Sequence, residues 1–484
     1  MNMKTLMIAG VTVAEGLNAA PIALHPDNPR YFLFRGEPTV LITSGEHYGA
    51  VLNLDFDYVK YLDTLAADGL NLTRTFTGAY VEPPGAFKIT ANTLAPKPER
   101  FISPWARDAQ SGRFDLTKWD AAFFVRLKDF VAQANRRGII VELALFCPMY
   151  GEGQWKLSPM NAENNVNGIG AVGRNDVYTL DKSGGLLAVQ EALVRKIVAE
   201  LRDAENVCYE ICNEPYFGGV TMAWQHRIAD VIVEAEKGYA HPHLITQNIA
   251  NGSARIEKPH PSVSVFNFHY ASPPDAVALN YGLNKVIGDN ETGFKGTADE
   301  HYRMEAWEFI LAGGGLYNNL DYSFAVGHEA GSFQYPAGQP GGGNSGFRKQ
   351  MKLLKDFIHG FDFVKMRPSR DAIREALPQG ARCQILAEPG RQYAAYFKGA
   401  PAFAFTLDLP AGDYQIQWLD VVTGQSAPSV TTPHPGGPAR FKIPDGLNEC
   451  AVAIRAEERL LSTATVADRP LTTLPEHGKN LKTL

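Results

Sequence analysis

Cysteine is scarce in this chain: five in 484 residues, at 147, 208, 212, 383 and 450, an odd number with no framework spacing. That excludes a disulfide-stapled scaffold. Cys208 and Cys212 fall four apart on one predicted strand, too far to bridge each other. No second ligand pair lies nearby to complete a zinc site, so these read as buried strand thiols. No stretch approaches the ~18 uninterrupted apolar residues of a membrane span. Basic charge has no excess either: the formal net charge is −6, which argues against a nucleic-acid groove. A G-x-G-x-x-G turn between strand and helix is also missing. The triplets Gly313-Gly314-Gly315 and Gly341-Gly342-Gly343 read as turn and loop glycines, so no dinucleotide fold is expected. His241-Pro242-His243 has the His-x-His form of a barrel metal site. It precedes a strand, however, and so lies on the face away from the chemistry.

What remains is a soluble globular composition, 45% hydrophobic and 20% charged, on a chain long enough for two domains. Lys4, the apolar run 6–14 and Asn18-Ala19-Ala20 resemble a short secretory signal that Glu15 cuts early. The reading leans toward a secreted or periplasmic protein, with the cytoplasm as the alternative. From about residue 28 to 368, short β-rich runs alternate with helical periodicity. Strands are predicted at 38–43, 70–76, 138–146, 207–212, 243–248, 262–268, 285–288 and 315–320. Helices are predicted at 57–67, 116–137, 187–201, 222–237, 299–311 and 347–360. Eight β-then-helical units fit a (β/α)8 TIM barrel with insertions better than an open sheet. Residues 369–460 alternate β-formers with Pro-Gly and Lys-Gly turns and read as an all-β sandwich. The stretch 461–484 reads as a tail.

In such a barrel the chemistry sits at the C-terminal strand ends, and polar residues occupy them. The first strand runs into Ser44-Gly45-Glu46-His47-Tyr48, the second carries Arg74, the fourth ends at Asn213-Glu214 and the sixth at His269-Tyr270. The seventh ends at Asn290-Glu291 and the eighth in Asn318-Asn319-Leu320-Asp321-Tyr322. Two carboxylates delivered by separate strands suit glycoside hydrolysis, in which one protonates the leaving oxygen and the other attacks or activates water. The attacking carboxyl must stay ionised, which a buried cation such as Arg74 and a hydroxyl such as that of Tyr270 can secure, and the other must begin protonated, which a neighbouring anion favours. Glu210 and Asp289, by strand parity, point into the barrel one layer lower as internal ion partners. Glu46 and His47 read either as substrate ligands or as a strand-end polar cluster, and Trp155 as a subsite wall or as packing for the 148–180 insertion.

Asn213-Glu214-Pro215, Glu291-Thr292-Gly293 and His269-x-Tyr after the sixth strand resemble the retaining glycoside hydrolases of clan A. The opening hairpin Asn28–Pro38 is similar to that of bacterial apiosidase-like glycosidases. The run from Gln392 to Gly424 resembles the collagen-binding-type β module that accompanies them. The resemblance covers about residues 28–460. It implies that Glu214 is the acid/base and Glu291 the nucleophile, that Asn213 binds a sugar 2-hydroxyl, and that His269 lines the same subsite. It further implies an oligosaccharide or polysaccharide substrate, with no cofactor, metal, nucleic acid or membrane partner. The chain departs from the clan at the tip of strand eight, where Tyr322 stands near the usual place of a tryptophan floor. Two other readings share these residues: a non-catalytic carbohydrate-binding barrel and a transglycosylase. The Gly-rich segment 327–346 reads as a mobile lid.

Overall fold

A computed structural model describes residues 21–457. The leader-like residues 1–20 and the tail from 461 onward lie outside the described residues. Eight parallel strands form one sheet: β1 (Leu41–Gly45), β2 (Leu72–Phe76), β3 (Ile140–Ala144), β4 (Val207–Glu210), β5 (Leu244–Asn251), β6 (Val263–His269), β7 (Val286–Thr292) and β8 (Leu316–Leu320). The hydrogen-bonded order runs β1-β8-β7-β6-β5-β4-β3-β2. Asn71 closes the ring between β1 and β2: its side chain accepts from Ile42 N at 2.8 Å and donates to Val40 O at 2.9 Å. This is the (β/α)8 barrel that the alternation predicts.

Around it lie α1 (Tyr58–Ala67), α2 (Ala121–Arg136), α4 (Leu186–Glu200), α5 (Met222–Ala235), α6 (Asp275–Asn280), α7 (Asp299–Leu311) and α8 (Ser345–His359), with α3 (Glu152–Leu157) inside the β3–α4 insertion. Side-chain caps fix several starts. Asp57, Asp120, Thr221 and Asn344 each accept a first-turn N–H, one of the donors a helix start leaves free. Two expectations change. Helix α2 begins after Asp120, because Phe114–Trp119 is a strand paired with Trp105–Arg107. No helix joins β5 to β6, so the eight units are not all helical; Gly252, Pro259 and Pro261 break that segment.

The opening hairpin, Phe32–Phe34 with Glu37–Thr39, plugs the N-terminal end of the barrel. Phe32 and Phe34 pack with residues at the start of every strand, among them Leu41, Leu72, Ile140, Cys208 and Leu316. The floor is therefore dry, and access to the interior is from the opposite end.

The C-terminal region forms β9 (Arg382–Glu388), β10 (Gln392–Lys398), β11 (Ala404–Leu409), β12 (Gly412–Asp420), β13 (Val430–His434), β14 (Gly437–Lys442) and β15 (Glu449–Ala456). The main antiparallel sheet has the order β9-β10-β15-β12-β13, extended beyond β9 by the two-residue strand Arg367–Pro368, and β11 pairs with β14 as a second layer. The central strands β10 and β15 are buried on both faces, and the β10 side chains sort with period two. Tyr393, Ala395 and Phe397 face the sandwich core, while Ala394 and Tyr396 join the barrel's core. Trp307 of α7 stacks on Tyr396 with ring centroids 5.7 Å apart. Arg303 makes a two-pronged contact with Glu449 at 2.8 and 2.7 Å, and Arg382 pairs with Glu308.

Candidate functional site

The barrel interior changes from apolar to ionic one layer above the hairpin plug. Arg74, wholly buried, is the hub. Its Nε and Nη2 grip Glu210 at 2.7 and 2.5 Å, Nη2 also donates to Asn213 Oδ1 at 2.6 Å, and Nη1 reaches Glu291 Oε2 at 3.1 Å. The guanidinium lies over the Tyr48 ring at 4.4 Å, a favourable stacking for a desolvated cation. Below it, Asn290 donates to Glu142 at 3.0 Å and to Glu210 at 2.9 Å, and Thr246 and Asn267 also donate to Glu142. Burial pushes the Glu142 carboxyl up, and the nearby Glu210 charge adds to this.

Glu291 accepts Tyr48 Oη–H at 2.9 Å on Oε2 and Tyr270 Oη–H at 2.7 Å on Oε1. Burial works against its charge, but His269, Arg74 and the Tyr270 hydroxyl outweigh this and hold its pKa below the ordinary carboxylate value. Glu214 accepts from Tyr150 Oη on Oε2 and from Tyr216 Oη on Oε1 at 3.3 Å. His269 Nδ1 stands 3.2 Å from Glu214 Oε1 and 3.7 Å from Glu291 Oε1. Burial opposes charge on His269, yet the two carboxylates raise its pKa above the usual imidazole value. Three of these residues, Tyr48 (φ 60°), Glu214 (φ 35°) and Tyr270 (φ 55°), hold left-handed backbone conformations. Such conformations cost about 1–3 kcal/mol each and cluster at functional sites.

One oxygen of Glu214, one of Glu291 and a ring nitrogen of His269 lie within 4.8 Å of one another. That spacing would let them share a cation. Here Arg74 already supplies positive charge to Glu291, and both Glu291 oxygens are engaged by tyrosine hydroxyls. The carboxylates open onto a cavity of about 340 Å³ at the mouth, whose wall includes His47, Glu82, Asn213, Phe87, Phe217 and Phe294.

Of the residues singled out from sequence, Arg74, Asn213, Glu214, His269, Tyr270 and Glu291 converge, and His47 joins them on the wall. Glu46 does not. Its oxygens accept Gly49 N and Ala50 N, both at 3.0 Å, and Thr93 Oγ1 at 2.6 Å, so it staples the loop after β1; burial pushes its pKa up to about 7. Trp155 is buried in the 148–180 insertion, donating to Val172 O at 3.0 Å, and packs that insertion instead of lining the cavity. Tyr322 sits behind the wall, its ring 5.9 Å from His47 and 6.5 Å from Phe294. Segment 327–346 is docked, not free: Tyr322 N donates to Gly342 O and Gly296 N to Pro340 O, both at 3.0 Å, and a Cβ on Gly341 would collide with Gly293 O.

Asp289 also departs from its expected place. A register irregularity in β7 between Asp289 and Thr292 turns both Asn290 and Glu291 inward. Asp289 instead faces α7, where burial and then Glu305 raise its pKa. Tyr48, Tyr150, Tyr216 and Glu82 are further polar groups of the site. Tyr48 belongs to the strand-one polar cluster, and Tyr150 and Tyr216 lie in loops after β3 and β4, but nothing in their spacing marks them as carboxylate donors.

No family model matches the chain, and no curated protein matches it in sequence. Solved structures share its fold. A protein described as a glycoside hydrolase superposes with a TM-score of 0.60 at 14% identity, over 91% of this chain and 98% of its own. A candidate glycoside hydrolase from Bacteroides vulgatus ATCC 8482 gives 0.66 at 16% identity, over 91% and 83%. A glycoside hydrolase family 5 protein from the same organism gives 0.60 at 13%, over 91% and 94%. The likeness therefore extends through both the barrel and the β domain.

Proposed function

We propose that this protein hydrolyses a β-glycosidic bond with retention of configuration. The observation that carries the reading is the pair Glu214 and Glu291, delivered from β4 and β7 with oxygens within 4.8 Å. Retaining glycosidases hold their carboxyls ~5–5.5 Å apart, whereas an inverting enzyme needs roughly 6.5–9.5 Å to admit a water. Glu291 attacks the anomeric carbon as the glycosidic C–O bond breaks, and Glu214 passes its proton to the departing oxygen. Water then gives a proton back to Glu214 and displaces Glu291 from the sugar. Arg74, Tyr48 and Tyr270 hold the nucleophile ionised and aimed. Asn213, fixed by Arg74 at 2.6 Å and donating to Tyr150 Oη at 2.9 Å, faces the position of the sugar 2-hydroxyl. The saccharide fold neighbours, the clan A strand tips and the apiosidase-like opening hairpin support this assignment. Residues 28–368 carry the chemistry, and the β region 369–460 buttresses α7 through Trp307–Tyr396 and Arg303–Glu449.

A panel of aryl β-glycosides and arabinosides tests the reading, wild type against Glu214→Ala. The variant should lose about 10²–10⁴-fold on substrates with poor leaving groups and far less on activated aryl glycosides. Equal losses on both would remove Glu214 from the acid role. Tyr270→Phe should lower kcat by about 10²-fold and move the acid limb of kcat/KM. The sign follows from the cause. The hydroxyl helps depress the Glu291 pKa, so its loss raises that pKa and shifts the limb to higher pH. An unmoved limb would mean that Tyr270 does not act on the nucleophile.

A further inference from the structure

Among the described residues, the exposed aromatic side chains are Phe87, Phe217 and Phe294, at 39%, 43% and 37% exposure, and all three line this one cavity. Exposed phenylalanines scattered over a surface mean little, but convergence on one opening marks a binding face. Their placement relative to the carboxylates gives the face a direction. Phe217 lies three residues after Glu214. The Tyr150 ring, whose hydroxyl bonds Glu214, is 5.2 Å from Phe87 and 5.8 Å from Phe217. The Phe87–Tyr150–Phe217 cluster thus stands beside the acid, where the departing group must sit. Phe294 extends the collar, 6.4 Å from Phe87. The backbone is held to this purpose: Phe87 (φ 53°), Lys88 (φ 63°) and Ala91 (φ 55°) all adopt left-handed conformations in the loop that projects Phe87 over the mouth.

Most of the polar lining lies elsewhere; beside Glu214 and Asn213 the acid's side adds Asn251, which accepts from Tyr216 Oη at 2.5 Å. His47, whose ring nitrogens make no hydrogen bond, stands 3.5 Å from Glu82. Both line the cavity, and the His47 ring packs 5.4 Å from Tyr48, whose hydroxyl bonds Glu291, so His47 stands on the nucleophile's side. The cavity is hydroxyl-binding at depth and apolar at the mouth. A sugar in the leaving position would find Asn251 for one of its hydroxyls but would set the others against three phenylalanines that offer no partner, and unpaired polar groups are costly to desolvate.

We propose that the leaving group is an apolar, ring-bearing aglycone, so that the substrate is a β-glycoside of a hydrophobic alcohol or phenol and not a β-linked oligosaccharide. This rests on the glycosidase reading above. The test uses one glycone, the one cleaved best in the aryl panel, as its benzyl β-glycoside, its methyl β-glycoside and a β-linked disaccharide. Benzyl and methyl alcohols are leaving groups of similar acidity, so the phenyl ring is the difference between them. The benzyl glycoside should exceed the methyl glycoside by about 10- to 100-fold in kcat/KM, the worth of burying one such ring. It should also exceed the disaccharide. Phe87→Ala and Phe217→Ala, truncations at exposed positions, should each shrink the benzyl-to-methyl ratio. A disaccharide cleaved as well as the benzyl glycoside, or a ratio that neither truncation changes, overturns the aglycone inference and leaves the glycosidase intact. Failure of the wild type to cleave any glycoside of the panel overturns the glycosidase reading, and the inference with it.

Discussion

Glu291→Ala should lower glycoside turnover by a factor on the order of 10⁵ or more, the usual cost of deleting a covalent nucleophile, while the protein stays folded. The fold survives because the carboxylate sits at a cavity wall and its cationic partner keeps other anchors. Arg74 still holds Glu210 through two nitrogens and Asn213 through one. The Tyr48 and Tyr270 hydroxyls, released from Glu291, face a space that water can fill. That space also makes the assignment specific. Azide entering it attacks the anomeric carbon from the face Glu291 used, with Glu214 still present as acid. The expected product from an activated aryl β-glycoside is the α-glycosyl azide. Product analysis by NMR decides the matter: hydrolysis by the variant at the wild-type rate removes Glu291 from the mechanism, and a β-glycosyl azide would mean that attack comes from the other face.

How much of this site could be read from sequence depended on whether local pattern and three-dimensional neighbourhood agreed. Helix α8, expected at 347–360 and found at Ser345–His359, was legible because Phe347, Met351, Leu354 and Ile358 recur on one buried face, a spacing that depends on nothing distant. The strand tips that carry Arg74, Glu214 and Glu291 were legible because barrel topology sends every such tip to one face. Asp289 was not, because strand parity fails at the β7 irregularity, which brings Asn290 and Glu291 to the same side. Glu46 lay one residue from the cavity wall, but its carboxylate is consumed by Gly49 N and Ala50 N, a local turn contact that competes with any ligand. Trp155 looked like a sugar platform by type alone; the Val172 carbonyl claims its indole N–H. Strand β13 escaped notice because Val430–His434 is an exposed edge carrying Pro433, and such edges lack a buried face to pattern.

The second large effect concerns Arg74. The barrel layer beneath the mouth sets Glu210, Glu291 and, at 4.0 Å, Glu142 around one guanidinium, with His269 and, farther off, His47 as further candidate cations near Glu291. Removing the arginine leaves carboxylates buried without a counter-charge. Breaking a buried pair in this way costs about 3–5 kcal/mol, so Arg74→Met should lower the melting temperature by on the order of 5–10 °C. Activity should fall further than stability suggests, because Arg74 also helps depress the Glu291 pKa. Without it that pKa rises and the acid limb of kcat/KM moves to higher pH. Arg74→Lys separates the two effects. An ammonium restores charge to the layer and should recover part of the melting temperature. It lacks the planar fork that bonds Glu210, Asn213 and Glu291 at once, so kcat should stay low. A lysine variant with near wild-type kcat would mean that charge alone, and not the fork, organises the nucleophile. A methionine variant that melts with the wild type would mean that the buried carboxylates find their compensation from other neighbours.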